Sequence, residues 1–520
     1  MLTAFLSLPL ALALAPQQST VLFRRDDLLG QEPVTGLDSP TIDGQRNWFA
    51  LARFSDSSSA LLANGEVVLQ DGQRILEPSA RVRLTVDPCG GVAQRVAELR
   101  LDDFVPPLAL PGPRQAIVRN ERAVVIAGER LGLGGFPPDA VCESIIDVAA
   151  NLTDTLVIQL RTGGVPTLVR FRFGADGSLL TSERLLANGD DLGAGRTVAS
   201  IGFVRLDQAG NWLTRVVTTT GQTFLVGPAG ILLGSGDGIG IPGRHVGGVV
   251  PSYDLNDLGG WAAWVRLASG PVDDLVLVVD GKVHAQEGQL FRSIDPFAAP
   301  RPLLDYPSSA GLVLSNDGQP YWLAHLSFPG APLLMRGSDP ILEPGLSRID
   351  GALLAGVETD FEVSPDGRDW LGVLYTGSVG RGSTLVRTDF GSAEPRPGCA
   401  SNPGRLELDA GLVLAGHTLT LELDGPAPLG ALGWVYASTG GPALATACGL
   451  STPFGELLLD PSRIVGALPT GNYVGGPLTV TLPLPSSLAL VDRELYLQGV
   501  LRAPGSILLS NGLRLEVGAP

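Results

Sequence analysis

Short apolar runs recur along the whole chain, each alternating apolar with polar positions and each bounded by Gly, Pro, Asn or Asp. A period of two residues belongs to strands, not to helices. Five of the runs share more than their period. Each follows a turn and reads Trp, then a small residue two places on, then an apolar residue two places beyond. They are Trp48-Phe-Ala50-Leu-Ala52, Trp212-Leu-Thr214-Arg-Val216, Trp261-Ala-Ala263-Trp-Val265, Trp322-Leu-Ala324-His-Leu326 and Trp370-Leu-Gly372-Val-Leu374.

The last four tryptophans are spaced by about fifty to sixty residues, a period typical of stacked β-units. The gap from Trp48 to Trp212 is about three such intervals, so two degenerate units belong inside it, at Cys89–Leu99 and Asn151–Leu160. The first of these also fits a short helix. Second hairpins are marked by Asn64-Gly65, Asp176-Gly177 and Asp280-Gly281 between apolar runs. A unit is therefore about four short strands, which cannot bury both faces alone and must stack on neighbours.

The seventh unit stops early, at Asp389, while a strand-like segment without a unit begins at Thr20. Pairing the two closes a ring and removes exposed edges. The small residue two places after each Trp suits innermost strands that taper toward an axis. The pattern predicts an all-β fold, a β-propeller of about seven four-stranded blades over 19–390. Six or eight blades, or an open solenoid, are the alternatives. The repeat ends at a Pro/Gly-rich linker, 391–398, and alternating runs such as Thr418–Asp424 and Glu494–Gln498 then predict a C-terminal β-sandwich over 399–520.

Composition narrows the setting. The net charge of −17, with acids scattered rather than clustered, repels phosphate backbones and argues against a nucleic-acid partner. Lys282 is the single lysine beside many arginines, as a GC-rich genome would encode. Residues 1–18 carry an apolar run ending in Ala13-Leu14-Ala15, which reads as a signal peptide too short to span a bilayer. No basic residue precedes the run, and Pro16 is a poor residue after a cut. No later segment resembles a transmembrane helix. A secreted, periplasmic or cell-surface monomer is expected. Export makes disulfides plausible, and the placement of four cysteines favours Cys89–Cys142 and Cys399–Cys448.

The repeat, with its Asp/Asn-x-x-Gly turn, following aromatic strand and closing Gly-Asp loop, resembles planctomycete-type exported tandem-repeat proteins of uncharacterised function. The region from Pro397-Gly-Cys399 onward is similar to a C-terminal domain of secreted planctomycete proteins. The shared features there are Ala447-Cys448-Gly449, Pro483-Leu-Pro485, Leu495-Tyr-Leu-Gln498 and Leu509-Ser-Asn-Gly-Leu513. The resemblance implies fold and compartment and carries no active site.

Candidate chemistry is sparse. Gly238-Ile-Gly240-Ile-Pro-Gly243 fits a dinucleotide fingerprint by letter, but no helix-forming segment follows it. His245, His284, His325 and His417 stand apart from one another; His245, placed in an inter-unit loop, is the best single ligand candidate beside the reading of a solvated histidine. Asp26-Asp27, Asp190-Asp191 and Asp273-Asp274 offer oxygen ligands for Ca²⁺, without the spacing of a known loop, so no cofactor is expected. The expected function is a non-catalytic binding or scaffold module for a protein or glycan. A carbohydrate-active hydrolase or lyase with carboxylates at the channel mouth is the alternative.

Overall fold

A computed structural model describes residues 19–518 except 30–31, 44, 74–81, 92–93, 102–113, 121, 132–135, 152–153, 269–274, 295–297, 305–310, 327–330, 350, 377–382, 397, 400–401, 411–412, 414–417, 442–447 and 486–492. Contacts divide the chain into Thr20–Thr388 and a C-terminal unit from Asp389. Both are built from antiparallel strands.

In the first unit, seven sheets of four or five strands follow one another along the described residues. Their first strands are Glu32–Ile42, Val82–Gly91, Ser144–Ala150, Val198–Leu206, His245–Leu255, Leu312–Leu314 and Ala352–Val363. Each of these touches the first strand of the sheet before and the sheet after, and the seventh touches the first, so the contacts are cyclic. Ser19–Arg24 pairs with Ser383–Asp389 as the outermost strand of the seventh sheet. The first segment of the chain thus completes the last sheet.

Two recurring turns explain why the sequence repeats. The turn between first and second strands opens on Asp43, Asn151, Asp207, Asn256, Ser315 or Ser364. At four of these a side-chain oxygen accepts the N–H four residues on: Asp43 from Asn47 at 2.8 Å, Asn151 from Thr155 at 2.9 Å, Asp207 from Asn211 at 2.7 Å and Asn256 from Gly260 at 2.7 Å. Such side chains mimic a backbone turn and end the strand at a fixed point. The turn from one sheet's outermost strand to the next sheet requires a positive φ. Gly72, Gly128, Gly189, Gly236, Gly288 and Gly345 supply it, and Asp26, at φ 74°, supplies it after the N-terminal strand. The seventh turn follows the same rule as the other six.

The tryptophan strand lies second in its sheet, not innermost, so the taper argument applies to the strand before it. The two degenerate units are strands as well: Val96 and Leu156 lie on Gln94–Leu101 and Thr155–Thr162, second in their sheets. Between sheets the faces make apolar cores. Trp48, Ala52 and Leu62 meet Leu371, Val373 and Leu385 across the first and seventh sheets, and Trp264 and Leu277 meet Trp322 and Met335 across the fifth and sixth. Trp48, Trp212, Trp322 and Trp370 are buried; Trp261 is half-exposed and Trp264 takes the deep position.

The C-terminal unit starts earlier than the composition suggests. Ser392–Arg396 is a strand pairing with Ser506–Glu516, not a linker, because its backbone completes the edge of a sheet. A five-stranded sheet and a three-stranded sheet (Arg405–Ala410, Thr418–Asp424, Leu478–Pro483) share one apolar core that includes Leu421, Val435, Val480, Leu497 and Leu515. Cys399 and Cys448 are disulfide-bonded, with Cα atoms 4.9 Å apart. The expected Cys89–Cys142 bond is not made: Cys142 is a buried free thiol whose pKa burial pushes up to about 12. Cys142 packs with Ile117, Leu156 and Phe171 as a small hydrophobe, a role that requires no partner.

Candidate functional site

Among the described residues, six of the seven first strands line an axial cavity of about 660 Å³. The turn side chain fixes the register, and the residue two places before it lines the cavity in six sheets: Thr41, Ala149, Arg205, Asp254, Val313 and Glu362. Three of the six are charged.

These three face one another. Asp254 Oδ1 lies 3.3 Å from Arg205 Nε, and Asp254 Oδ2 accepts the Leu314 N–H at 2.7 Å. Burial pushes the Asp254 carboxyl up, and Arg205 partly opposes the shift. Glu362 retains some exposure to the cavity, yet desolvation, reinforced by the Asp254 charge, lifts its carboxyl to about 8. Burial works against the charge of Arg205, but Asp254 and Glu362 overcome it and hold the guanidinium protonated. Arg205 also lies over the Phe203 ring, 5.1 Å from its centre, and Phe203 stacks on Tyr253 at 4.1 Å.

Carboxylates also staple the ring. Asp147 accepts the Val204 N–H at 2.7 Å, and Asp360 accepts the Ser39 N–H at 3.1 Å, each from the next sheet. Both N–H groups lie where the first strand bulges and breaks its own ladder. At the turn level, Asp257 accepts the Gln208 N–H at 3.0 Å and gives its own N–H to Asn316 Oδ1 at 2.9 Å. Asn316 N–H then donates to the Pro365 carbonyl at 2.7 Å, joining four sheets in a rim. Burial raises the Asp257 carboxyl, against its bonds from Asn316 and Gln208.

The residues singled out from sequence lie elsewhere. His245 is exposed at the start of a first strand rather than in a loop, and it does not line the cavity. His284 is half-buried on Lys282–Gln286, and burial lowers its pKa. His325 follows a buried strand, and His417 lies outside the described residues. The Gly238–Gly243 segment is an inter-sheet loop that buries Ile239.

Asp26-Asp27 and Asp190-Asp191 occupy the inter-sheet turns. Asp27 accepts the Arg24 N–H at 2.7 Å and Asp190 the Ala187 N–H at 2.8 Å, as Asp237 does for Gly234 at 2.8 Å. These carboxylates cap strand ends. Asp273-Asp274 lie outside the described residues. Among the described residues, the one group of three metal-type side chains with ligand atoms within 4.8 Å is Cys399, Cys448 and Glu456, whose sulfurs are joined to each other. Among the described residues, no helix is long and apolar enough to cross a membrane.

Sequence reasoning missed Arg205, Asp254 and Glu362. The signal was present: a charged residue two places before a repeat turn, at the same register in three units.

No family model and no curated protein matches the chain. Among solved structures, a complex of BBS1N with ARL6DN is 11% identical, covering 72% of this chain and 97% of its own, with a TM-score of 0.31. Hsv2 of Kluyvelomyces marxianus is 11% identical, covering 66% and 89%, at 0.27. The Bombyx mori GH32 β-fructofuranosidase BmSUC1 is 11% identical, covering 93% and 89%, at 0.21. At these TM-scores the likenesses carry no argument about this chain.

Proposed function

We propose that the seven sheets are the blades of a seven-bladed β-propeller, that the C-terminal unit is a β-sandwich, and that the protein is an exported, non-catalytic binding module. Its ligand enters the axial cavity. The observation that carries this reading is the cavity of about 660 Å³, whose charged side chains are held rigidly by neighbouring sheets. Concave, pre-formed sites with a few oriented polar groups are the usual form of small-ligand pockets. The Cys399–Cys448 bond supports an oxidising compartment. A planctomycete-type exported origin and a monomeric state belong to the same reading.

Ligand-observed NMR with a panel of small glycans and amines tests it, using the full chain and an Ala149→Trp variant that fills the cavity. Binding lost in the variant is the expected result. A ligand that binds both proteins equally well would place the site elsewhere.

Hydrolysis is the second reading, and one observation favours it. Burial and the Asp254 charge raise the Glu362 carboxyl to about 8, the direction a general acid requires. Against it, Asp254 is already engaged by Arg205 and the Leu314 N–H. Turnover of fluorogenic glycosides that disappears in Glu362→Gln would establish the hydrolase and end the non-catalytic proposal.

A further inference from the structure

The turn that follows the N-terminal closing strand differs from the other six inter-sheet turns in one residue. In it the Asp26 N–H donates to the Val34 carbonyl at 2.7 Å, and the Asp27 N–H to the Arg24 carbonyl at 3.1 Å. The Val34 N–H returns to the Asp27 carbonyl at 2.9 Å, and the Asp27 carboxylate accepts the Arg24 N–H at 2.7 Å. The same four bonds recur between residues 187 and 198 and between residues 234 and 246. There the residue with positive φ is Gly189 or Gly236, and in the remaining four turns it is again glycine. Asp26, at φ 74°, alone carries a Cβ at this position. A left-handed backbone presses Cβ against the following carbonyl, so this turn holds strain that the other six lack.

The strand before this turn is also the most lightly held. Ser19–Arg24 contains no fully buried residue. Each of the six other outermost strands buries at least one: Leu69, Val125, Leu186, Leu233, Ala285 and Leu342. Those six follow the third strand of their own sheet in the chain and pair with it. Ser19–Arg24 instead pairs with Ser383–Asp389, at the far end of the ring unit. Its anchors are Leu22 and Phe23, half-buried on the core shared by the first and seventh sheets, with Phe23 edge-on to Trp48 at 6.2 Å.

Without that strand, Ser383–Asp389 presents an unpaired edge, and such an edge takes up a strand that fits. The same strand of a second copy fits by identity, because it reproduces an interface already made within one chain. We propose that Ser19–Arg24 is exchangeable, and that at high concentration two copies trade it, each closing the other's ring in a two-fold symmetric dimer. Exchange keeps the pairing of the strand and the packing of Leu22 and Phe23, and it lets both Asp26 residues leave the left-handed region. The closed monomer is the dilute form, since an attached strand has an effective concentration in the millimolar range.

Adjacent residues of the turn act in opposite directions. Asp26→Gly relieves the closed turn of its strain and favours the monomer. Asp27→Ala removes the bond to the Arg24 N–H that helps to fold the strand back, and so favours exchange. Short hinges under strain are the ones that invite exchange between copies.

The test is size-exclusion chromatography with light scattering on the full chain, held at about 1 mM, warmed to just below its melting temperature and cooled. A dimer should form and persist on dilution in the cold, because reversal requires the strand to unpair. Asp26→Gly should lower the dimerisation constant about tenfold, and Asp27→Ala should raise it by about the same factor. Hydrogen exchange should find Ser19–Arg24 and Ser383–Asp389 as protected in the dimer as in the monomer, with the difference confined to residues 25–27. Absence of a dimer in both the parent and Asp27→Ala overturns the inference. So does a dimer that the two substitutions do not move in opposite directions. A dimer that protects surface beyond the turn is an ordinary contact between closed copies, and it overturns the inference as well.

Discussion

The two units solve the problem of burying strands in different ways. The C-terminal unit closes two sheets over one continuous apolar core, with Leu421, Val435, Val480, Leu497 and Leu515 in a single cluster. The ring unit divides its core among the interfaces between neighbouring sheets and leaves its centre polar. Two sheets that share one core have no axis, and their inward positions go to packing. A ring has a third set of positions, facing neither neighbour, and only there can charge gather without displacing core. That is why the charged cluster of Arg205, Asp254 and Glu362 lies in the ring unit.

The comparison can be broken at its strongest point first. Trp322 is fully buried between Trp264 and Phe291, and its indole N–H donates to the Gly337 carbonyl at 2.8 Å. Trp322→Ala should cost about 4 kcal/mol, measured by urea unfolding of the ring transition. The C-terminal transition, followed by Trp434, should stay in place. A loss shared equally by both transitions would show that the units are not separate cores.

The converse perturbation is the Cys399→Ser, Cys448→Ser pair, which opens a loop spanning 49 residues. It should cost about 3 kcal/mol, confined to the C-terminal transition. Glu362 sharpens the contrast in the ring. Because its folded pKa is raised from the ordinary 4.5 to about 8, its folded state retains a proton that the unfolded state has lost. Stability present below about pH 4.5 therefore declines as pH rises toward about 8, by up to about 1.4 kcal/mol per pH unit. Glu362→Gln should flatten that slope in the ring transition and leave the C-terminal one untouched. The smallest effect is expected at Asp27, whose carboxylate caps the N-terminal closing strand; Asp27→Ala should cost about 1 kcal/mol. Hydrogen exchange should then speed up in Ser19–Arg24 before any other strand.

Much of the architecture was legible in the residues. The five tryptophan runs, the Asn64-Gly65 and Asp280-Gly281 hairpins and the segment at Thr20 are local signals, and each marks a strand or turn where the structure has one. That Cys142 is a free, buried thiol was not legible, because a buried thiol and half of a disulfide look alike in sequence. Ser392–Arg396 was misread as linker, since proline and glycine there mask a strand that finds its partner more than a hundred residues later.

The candidate site divides along the same line. Period and turn chemistry alone determined that this chain makes stacked β-units and that its first strand belongs with its last unit, because alternation and capping are properties of a few adjacent residues. Tertiary structure alone decided that Arg205, Asp254 and Glu362 meet. They are far apart in the chain and unremarkable one by one, and they become a charged cluster only because each stands at the same register on strands that the ring turns toward one axis.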